Sequence, residues 1–334
     1  MIIIGKQKGD TIKLSWNLNK MLDTYYQLLK RENKTADDQE LLKLYSGLLK
    51  LSNCHNFKNL SWPILEDAKE SKLTLPDCYI ETLAKNAKNN LTKEVHIKST
   101  LINEEKLLEE SFAIFGLINP DYQNDIKSFL KKDCFNINQS LYNKKVLYYD
   151  KVNCTPLLYF TINNNYEDYM AFQHEVAHML DILITREIND NLLKELRPIF
   201  ASFLSVEYHY HKEHNREYFK TLYNYYAYIE DLLLKVKTSQ TRSKNVLKEE
   251  NNSNYNLNNE LSYIVSFYLA LHLFKIYQKD PEKAFELYNI TRKRPNEELG
   301  FYQDLLKIAN FERFLEESIQ NTRKNISKTR FLAK

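Results

Sequence analysis

With 334 residues, 43% of them hydrophobic and 27% charged, the chain has the makeup of a globular protein, enough for one large domain or two smaller ones. Its 47 basic and 44 acidic residues nearly cancel, so charge predicts neither a nucleic-acid nor a membrane partner. Only five glycines occur, which removes the usual scaffold of phosphate-cradling loops and favours long helices.

In chain order, the opening MIIIGKQKGD has too few apolar residues for a secretory signal, and no window approaches 18 consecutive apolar residues. A cytoplasmic protein is expected. Cys54, Cys78, Cys134 and Cys154 are scattered without a C-x-x-C pair and read as free thiols. From residue 18 onward apolar residues recur at three- and four-residue spacing, as in Leu41, Leu42, Tyr45, Leu48 and Leu49. The N-terminal region, 1–94, is therefore expected as amphipathic helices broken near Pro63 and Pro76. Another helix starts at about Asn103 and ends at Asn119-Pro120, because a residue before proline avoids helical geometry.

KKVLYYDK (144–151) and PLLYFTIN (156–163) are short, aromatic or branched, and bounded by polar turns, so both are expected as strands. Asparagines and acids then precede an apolar run, predicting a helix over about 166–184. Further helices are expected over about 189–210, 217–236 and 259–278. The polar stretch 237–259 between the last two predicts a mobile loop or lid. The tail, 321–334, is basic and expected to fray.

The 166–184 helix contains AFQHEVAHMLD (171–181). Residues four apart on a helix lie about 40° apart around the axis and roughly 6 Å along it. His174 and His178 can thus offer two imidazoles to one ion, with Glu175 beside them to take a proton from a water. The strand just before the helix offers a backbone edge for an extended peptide. Such a zinc site wants a third protein ligand and an open position.

The segment PLLYFTINNNYEDYMAFQHEVAHMLD resembles the strand, turn and H-E-x-x-H helix of the thimet oligopeptidase and oligoendopeptidase F family of zinc peptidases. The likeness extends over about 95–320, through INEEKLLEESFAIFGLINPDYQNDIKSFLKKDCFNINQSLYNKK upstream and ELSYIVSFYLALHLFKIYQKDPEKAFELYNI downstream. It implies a mainly α fold with a small strand element beside the active-site helix, a catalytic domain over 95–320, one Zn²⁺ ion, and hydrolysis of oligopeptides. Members are usually longer, so this would be a trimmed version. In the family the third ligand is a glutamate on a later helix, and its position falls nearest Phe203, which cannot ligate. Glu207, one turn on, is the expected replacement, with His211 next and Glu195 a further alternative.

The family writes H-E-x-G-H where this chain has Ala177, and it steadies the reacting oxyanion with a histidine and tyrosines. Tyr263 and Tyr268 are the candidates here, while Val265 and Phe267 stand where further tyrosines would be expected. That thinning supports an alternative, a degenerate relative that binds peptides without cutting them. Asp181 is open between orienting a ligand and facing water. His55 and His96 read as ordinary histidines and His272 as a core residue.

Overall fold

One asparagine joins two helices at a proline. Asn119 caps the C-terminus of α4 (Glu104–Ile118), donating its backbone N–H to Phe115, and its side chain caps α5 (Pro120–Lys131), whose first residue lacks an N–H to satisfy. Asn103 caps the other end of α4 through Lys106 N. The expected helix from Asn103 to Asn119 is thus realised. The structure, a computed structural model, describes residues 2–7, 10–14, 18–31, 33–54, 60–61, 75, 77–88, 94–139, 145–150, 155–185, 193–213, 217–245, 251–293 and 299–332.

Most described residues are helical. The N-terminal region begins with an antiparallel hairpin, β1 (Ile2–Gln7) and β2 (Asp10–Leu14), which the sequence reading did not anticipate. Helices α1 (Leu18–Lys30), α2 (Ala36–Cys54) and α3 (Asp77–Asn86) follow. Pro63 and Pro76 lie outside the described residues.

The two expected strands exist. They are β5 (Lys145–Asp150) and β6 (Thr155–Ile162), joined by β3 (Leu60–Ser61) and β4 (Phe135–Gln139) into a sheet of order β3-β5-β6-β4. β5 runs antiparallel to β6 and β4 parallel to it. Every residue of β6 is buried, which is why TPLLYFTI reads as a continuous apolar run. β6 is therefore interior and its edge is closed to a peptide. Among the described residues the strands with an unpaired side are β4, at one end of the sheet, and β5, which β3 covers only at Tyr149 and Asp150.

The motif helix is α6 (Glu167–Thr185), packed on the sheet and antiparallel to α7 (Leu196–Glu213). Then come α8 (Glu217–Asn245), α9 (Asn251–Tyr277), α10 (Pro281–Lys293), α11 (Leu299–Leu305) and α12 (Phe311–Leu332). The expected loop over 237–259 is corrected: α8 extends into it from one side and α9 from the other. Residues 246–250 lie outside the described residues; over 237–245 Lys, Gln and Arg are good helix formers, and adding residues to an existing helix avoids the cost of nucleation. The expected frayed tail is corrected too. α12 runs across residue 321, and Arg323 pairs with Glu230 at 2.7 Å twice and with Asn86 O at 2.7 Å.

A single buried cluster draws on every helix, from Leu28 in α1 through Phe115, Phe172, Phe200 and Leu269 to Ile319 in α12. Cys78 and Cys134 are free. No helix among the described residues is long and apolar enough to cross a membrane.

Candidate functional site

The turn from β6 into α6 aims the motif. Asn164 takes the left-handed conformation, φ 57°, which asparagine tolerates better than most residues. Its backbone O accepts from Thr100 N at 2.7 Å, and its side chain from Ile102 N at 3.2 Å. Asn165 accepts from Glu167 N, while the Asp168 carboxylate collects Asn163 N, Asn165 N and Asn163 Nδ2 at 2.8–3.3 Å. These local bonds fix where the first turn of α6 starts, and so where each later side chain points. The asparagine and acid signals in the sequence are the caps they were read to be.

His174 and His178 fall on the α6 face that meets the start of α7. Their rings are 4.9 Å apart, centroid to centroid, and edge-on at 78°. Glu195, in the turn just before α7, places Oε2 3.1 Å from His174 Nε2 and 3.2 Å from His178 Nε2. One nitrogen or oxygen from each of the three lies within 4.8 Å of the others, the one such cluster among the described residues. Its side chains are largely buried, 12% and 21% exposed for the histidines and 6% for the carboxylate.

Burial opposes charge on Glu195, yet the His178 charge and hydrogen bonds from both imidazoles hold its carboxyl well below the usual range. Burial likewise lowers His178, but Glu195, Glu175 and Asp181 outweigh it and leave the imidazole raised.

Glu207, the expected third ligand, does not reach the histidines. It lies about 17 Å further along α7, at 1.5 Å per residue. There it pairs with His211 at 3.2 Å and lines a separate cavity of about 420 Å³ with Ile114, Leu204 and Tyr277. Because α6 and α7 run antiparallel, only the first turn of α7 can face His174 and His178. No register shift carries Glu207 back three turns. His211 is exposed on the same stripe, and Phe203 is buried against Tyr225, Phe267 and Phe274.

Asp181, left open in the sequence reading, is buried. It receives a bidentate ion pair from Arg197, with Nε at 2.9 and 3.0 Å and Nη2 at 2.8 Å, on side chains 5% and 11% exposed. That pair clamps α6 to α7 two residues from Glu195.

A cavity of about 280 Å³ opens beside the cluster, lined by His174, Glu175, Lys145, Tyr225, Tyr228 and Tyr263 among others. Tyr263 stands 6.3 Å from His174 with the rings parallel to 2°, and edge-on to Tyr228 at 6.1 Å. Burial pushes the hydroxyls of Tyr225, Tyr228 and Tyr263 above the ordinary phenol value, and the Glu195 charge adds to this, so all three are proton donors at neutral pH.

Tyr268 is corrected out of the site. It follows Tyr263 by about 140° around α9 and is fully buried beside Phe267, near Glu230 and Arg323. The sequence reading missed Tyr225, Tyr228 and Lys145. Helical spacing pairs Tyr225 with Tyr228 and sets Tyr223 and Tyr226 on the core side, but spacing alone does not say which pair faces a cavity. His96 is exposed, His272 packs edge-on against Phe314, and His55 lies outside the described residues.

No protein-family model and no curated protein matches this sequence. Solved structures match the fold. A protein assigned as oligoendopeptidase F from Bacillus anthracis strain Ames superposes with a TM-score of 0.57 at 9% identity, over 93% of this chain and 74% of that one. PZ peptidase A, solved with an inhibitor, gives 0.56 at 9% identity, over 96% and 72%. A protein assigned as a peptidase from Chlamydophila abortus gives 0.51 at 10% identity, over 93% and 63%. The chain has the helical fold of these peptidases, and at such identities the likeness is one of fold.

Proposed function

We propose that this chain is a zinc-dependent peptidase that hydrolyses oligopeptides, with one Zn²⁺ held by His174, His178 and Glu195. The observation that carries this is the convergence of two imidazole nitrogens and one buried carboxylate oxygen within 4.8 Å of one another. A tetrahedral ion with bonds of about 2.1 Å separates its ligand atoms by about 3.4 Å, close to the 3.1 and 3.2 Å here. Two histidines and a glutamate, with an open side, are a ligand set of catalytic rather than structural zinc. The adjoining cavity supplies that open side.

When bound there, zinc would lower the pKa of a coordinated water to about 7 and polarise the scissile carbonyl. Glu175, on the cavity wall one residue from His174, accepts the proton of the attacking water and returns it to the leaving amine. The Tyr263 hydroxyl, protonated throughout, donates a hydrogen bond to the carbonyl oxygen as it gains charge. Asp181 and Arg197 keep Glu195 in reach. The fold shared with solved peptidases supports the same reading.

Zinc content of the purified chain and cleavage of internally quenched peptides test it together. The expected result is stoichiometric zinc, with turnover lost in Glu175→Gln while zinc is retained. Stoichiometric zinc without cleavage of any member of a broad peptide library would favour the non-cutting peptide binder. Absence of zinc after growth in zinc-supplied medium would sink both.

A further inference from the structure

Among the described residues, Lys145 is the one lysine or arginine that lines the cavity beside His174 and Glu175. It is the first residue of β5 and pairs in register with Phe160 of β6. Its Nζ lies 5.2 Å from the centre of the Phe160 ring, and that ring meets Phe172 of α6 edge-on at 5.1 Å. The face of a phenyl ring attracts an ammonium, and this ring is fixed in the core, so the lysine's head has a set place on the cavity wall.

That head lacks a polar partner. Among the described residues no hydrogen bond and no ion pair engages Nζ. The carboxylates at the start of α6 are taken up elsewhere: Asp168 by its three bonds to Asn163 and Asn165, and Glu167 by Asn224 Nδ2 at 3.2 Å. Glu94, which also lines the cavity, is exposed, where water and salt screen it. Lys145 itself is partly buried, and donors withdrawn from water cost free energy until an acceptor meets them. Burial also pushes its pKa down, a cost that an incoming carboxylate offsets.

We infer that Lys145 is a specificity-determining residue: it binds a carboxylate of the substrate, so the chain prefers peptides that carry one close to the bond being cut. That carboxylate is the peptide's C-terminus or the side chain of an aspartate or glutamate. The cavity of about 280 Å³ is bounded by both His174 and Lys145, which leaves only a short stretch of peptide between the scissile bond and the carboxylate. The kinetic consequence rests on the peptidase reading above, whereas carboxylate binding at Lys145 does not.

The test uses quenched peptides matched in pairs: a free C-terminus against its amide, and Asp or Glu against Asn or Gln at each position. In wild type the preferred carboxylate is expected to lower KM about tenfold or more relative to its amide, with kcat within about twofold. The pair that shows this tells a C-terminal carboxylate from a side chain. Lys145→Met is expected to bring the two members of that pair within about twofold, and Lys145→Arg to keep part of the preference. Equal KM for every pair in wild type overturns the inference without any substitution. A preference that survives undiminished in Lys145→Met overturns it too, because another group then holds the carboxylate. Calorimetric titration of the full chain reads the same contact without turnover, using blocked dipeptides with the carboxylate at the C-terminus or on a side chain, and their amides. Tighter binding of an acid, lost in Lys145→Met, supports the inference even if no peptide is ever cut. Cleavage together with equal binding of acids and amides overturns it and leaves the peptidase reading standing.

Discussion

Arg197→Met isolates what the α6–α7 clamp contributes. The guanidinium makes hydrogen bonds of 2.8, 2.9 and 3.0 Å to Asp181, with side chains 5% and 11% exposed, so solvent screens the pair weakly. Removing the arginine takes three hydrogen bonds from a carboxylate in a site nearly closed to water. Breaking such a pair from one side is destabilising by about 3–5 kcal/mol. At about 2 °C per kcal/mol for a chain somewhat above 250 residues, that is roughly 6–10 °C of melting temperature. Replacing both partners with apolar residues of similar size, Arg197→Met with Asp181→Leu, leaves no stranded charge and is expected to recover most of the loss. Urea unfolding followed by circular dichroism, together with thermal melts, reads all three proteins. Because Glu195 lies two residues from the arginine, zinc affinity is expected to fall in the single variant as well. A single variant that loses less than about 1 kcal/mol, or a double variant no better than the single, refutes the reasoning.

Glu195→Ala is expected to abolish stoichiometric zinc by elemental analysis, whereas Glu207→Ala, three turns away, keeps it. Zinc at 1,000 times its Kd adds about 4.1 kcal/mol to stability, so a chelator lowers the melting temperature of wild type but not of Glu195→Ala. Tyr263→Phe removes the one candidate oxyanion donor stacked near His174 and is expected to lower kcat by about 10²-fold or more; Tyr268→Phe, in the core, leaves kcat unchanged.

Glu110 offers a pH signature away from the proposed metal ligands. Burial lifts its pKa, against hydrogen bonds with His209, at 2.6 Å, and Ser205. A carboxyl raised on folding makes the folded state bind the extra proton. Its stabilising contribution is therefore full below the unfolded value near 4.5 and lost as pH rises through the folded value. Denaturation from pH 4 to pH 8 should show this decline in wild type and a flatter profile in Glu110→Gln; equal slopes contradict it.

Local signals in the chain were enough for the elements that carry the motif. Asn163, Asn164, Asn165 and Asp168 are of the residue types that cap helices, and the apolar run behind them buries one face. The helix over Glu167–Thr185 and the projection of His174, Glu175 and His178 from it follow from bonds within a few residues. The two strands before it were legible for the same reason, through their composition and bounding turns. β4 was not, because FNINQ has too little apolar content to signal a strand and gains its place only by pairing with β6. The helical stretches 237–245 and 251–259 were missed because polarity argues for a loop while the neighbouring helices favour propagation.

The partners of that motif were decided by tertiary structure. Counting along α7 led to Glu207, since sequence distance says nothing about where a neighbouring helix begins relative to α6. The Arg197–Asp181 clamp and the antiparallel packing settle that register, and they bring Glu195 to the histidines. The same holds for Tyr225, Tyr228 and Lys145, drawn from α8 and β5 into one cavity by packing no local pattern encodes. A helix presents its own side chains at angles fixed by 3.6 residues per turn, but which foreign groups it meets depends on how the whole core closes around it.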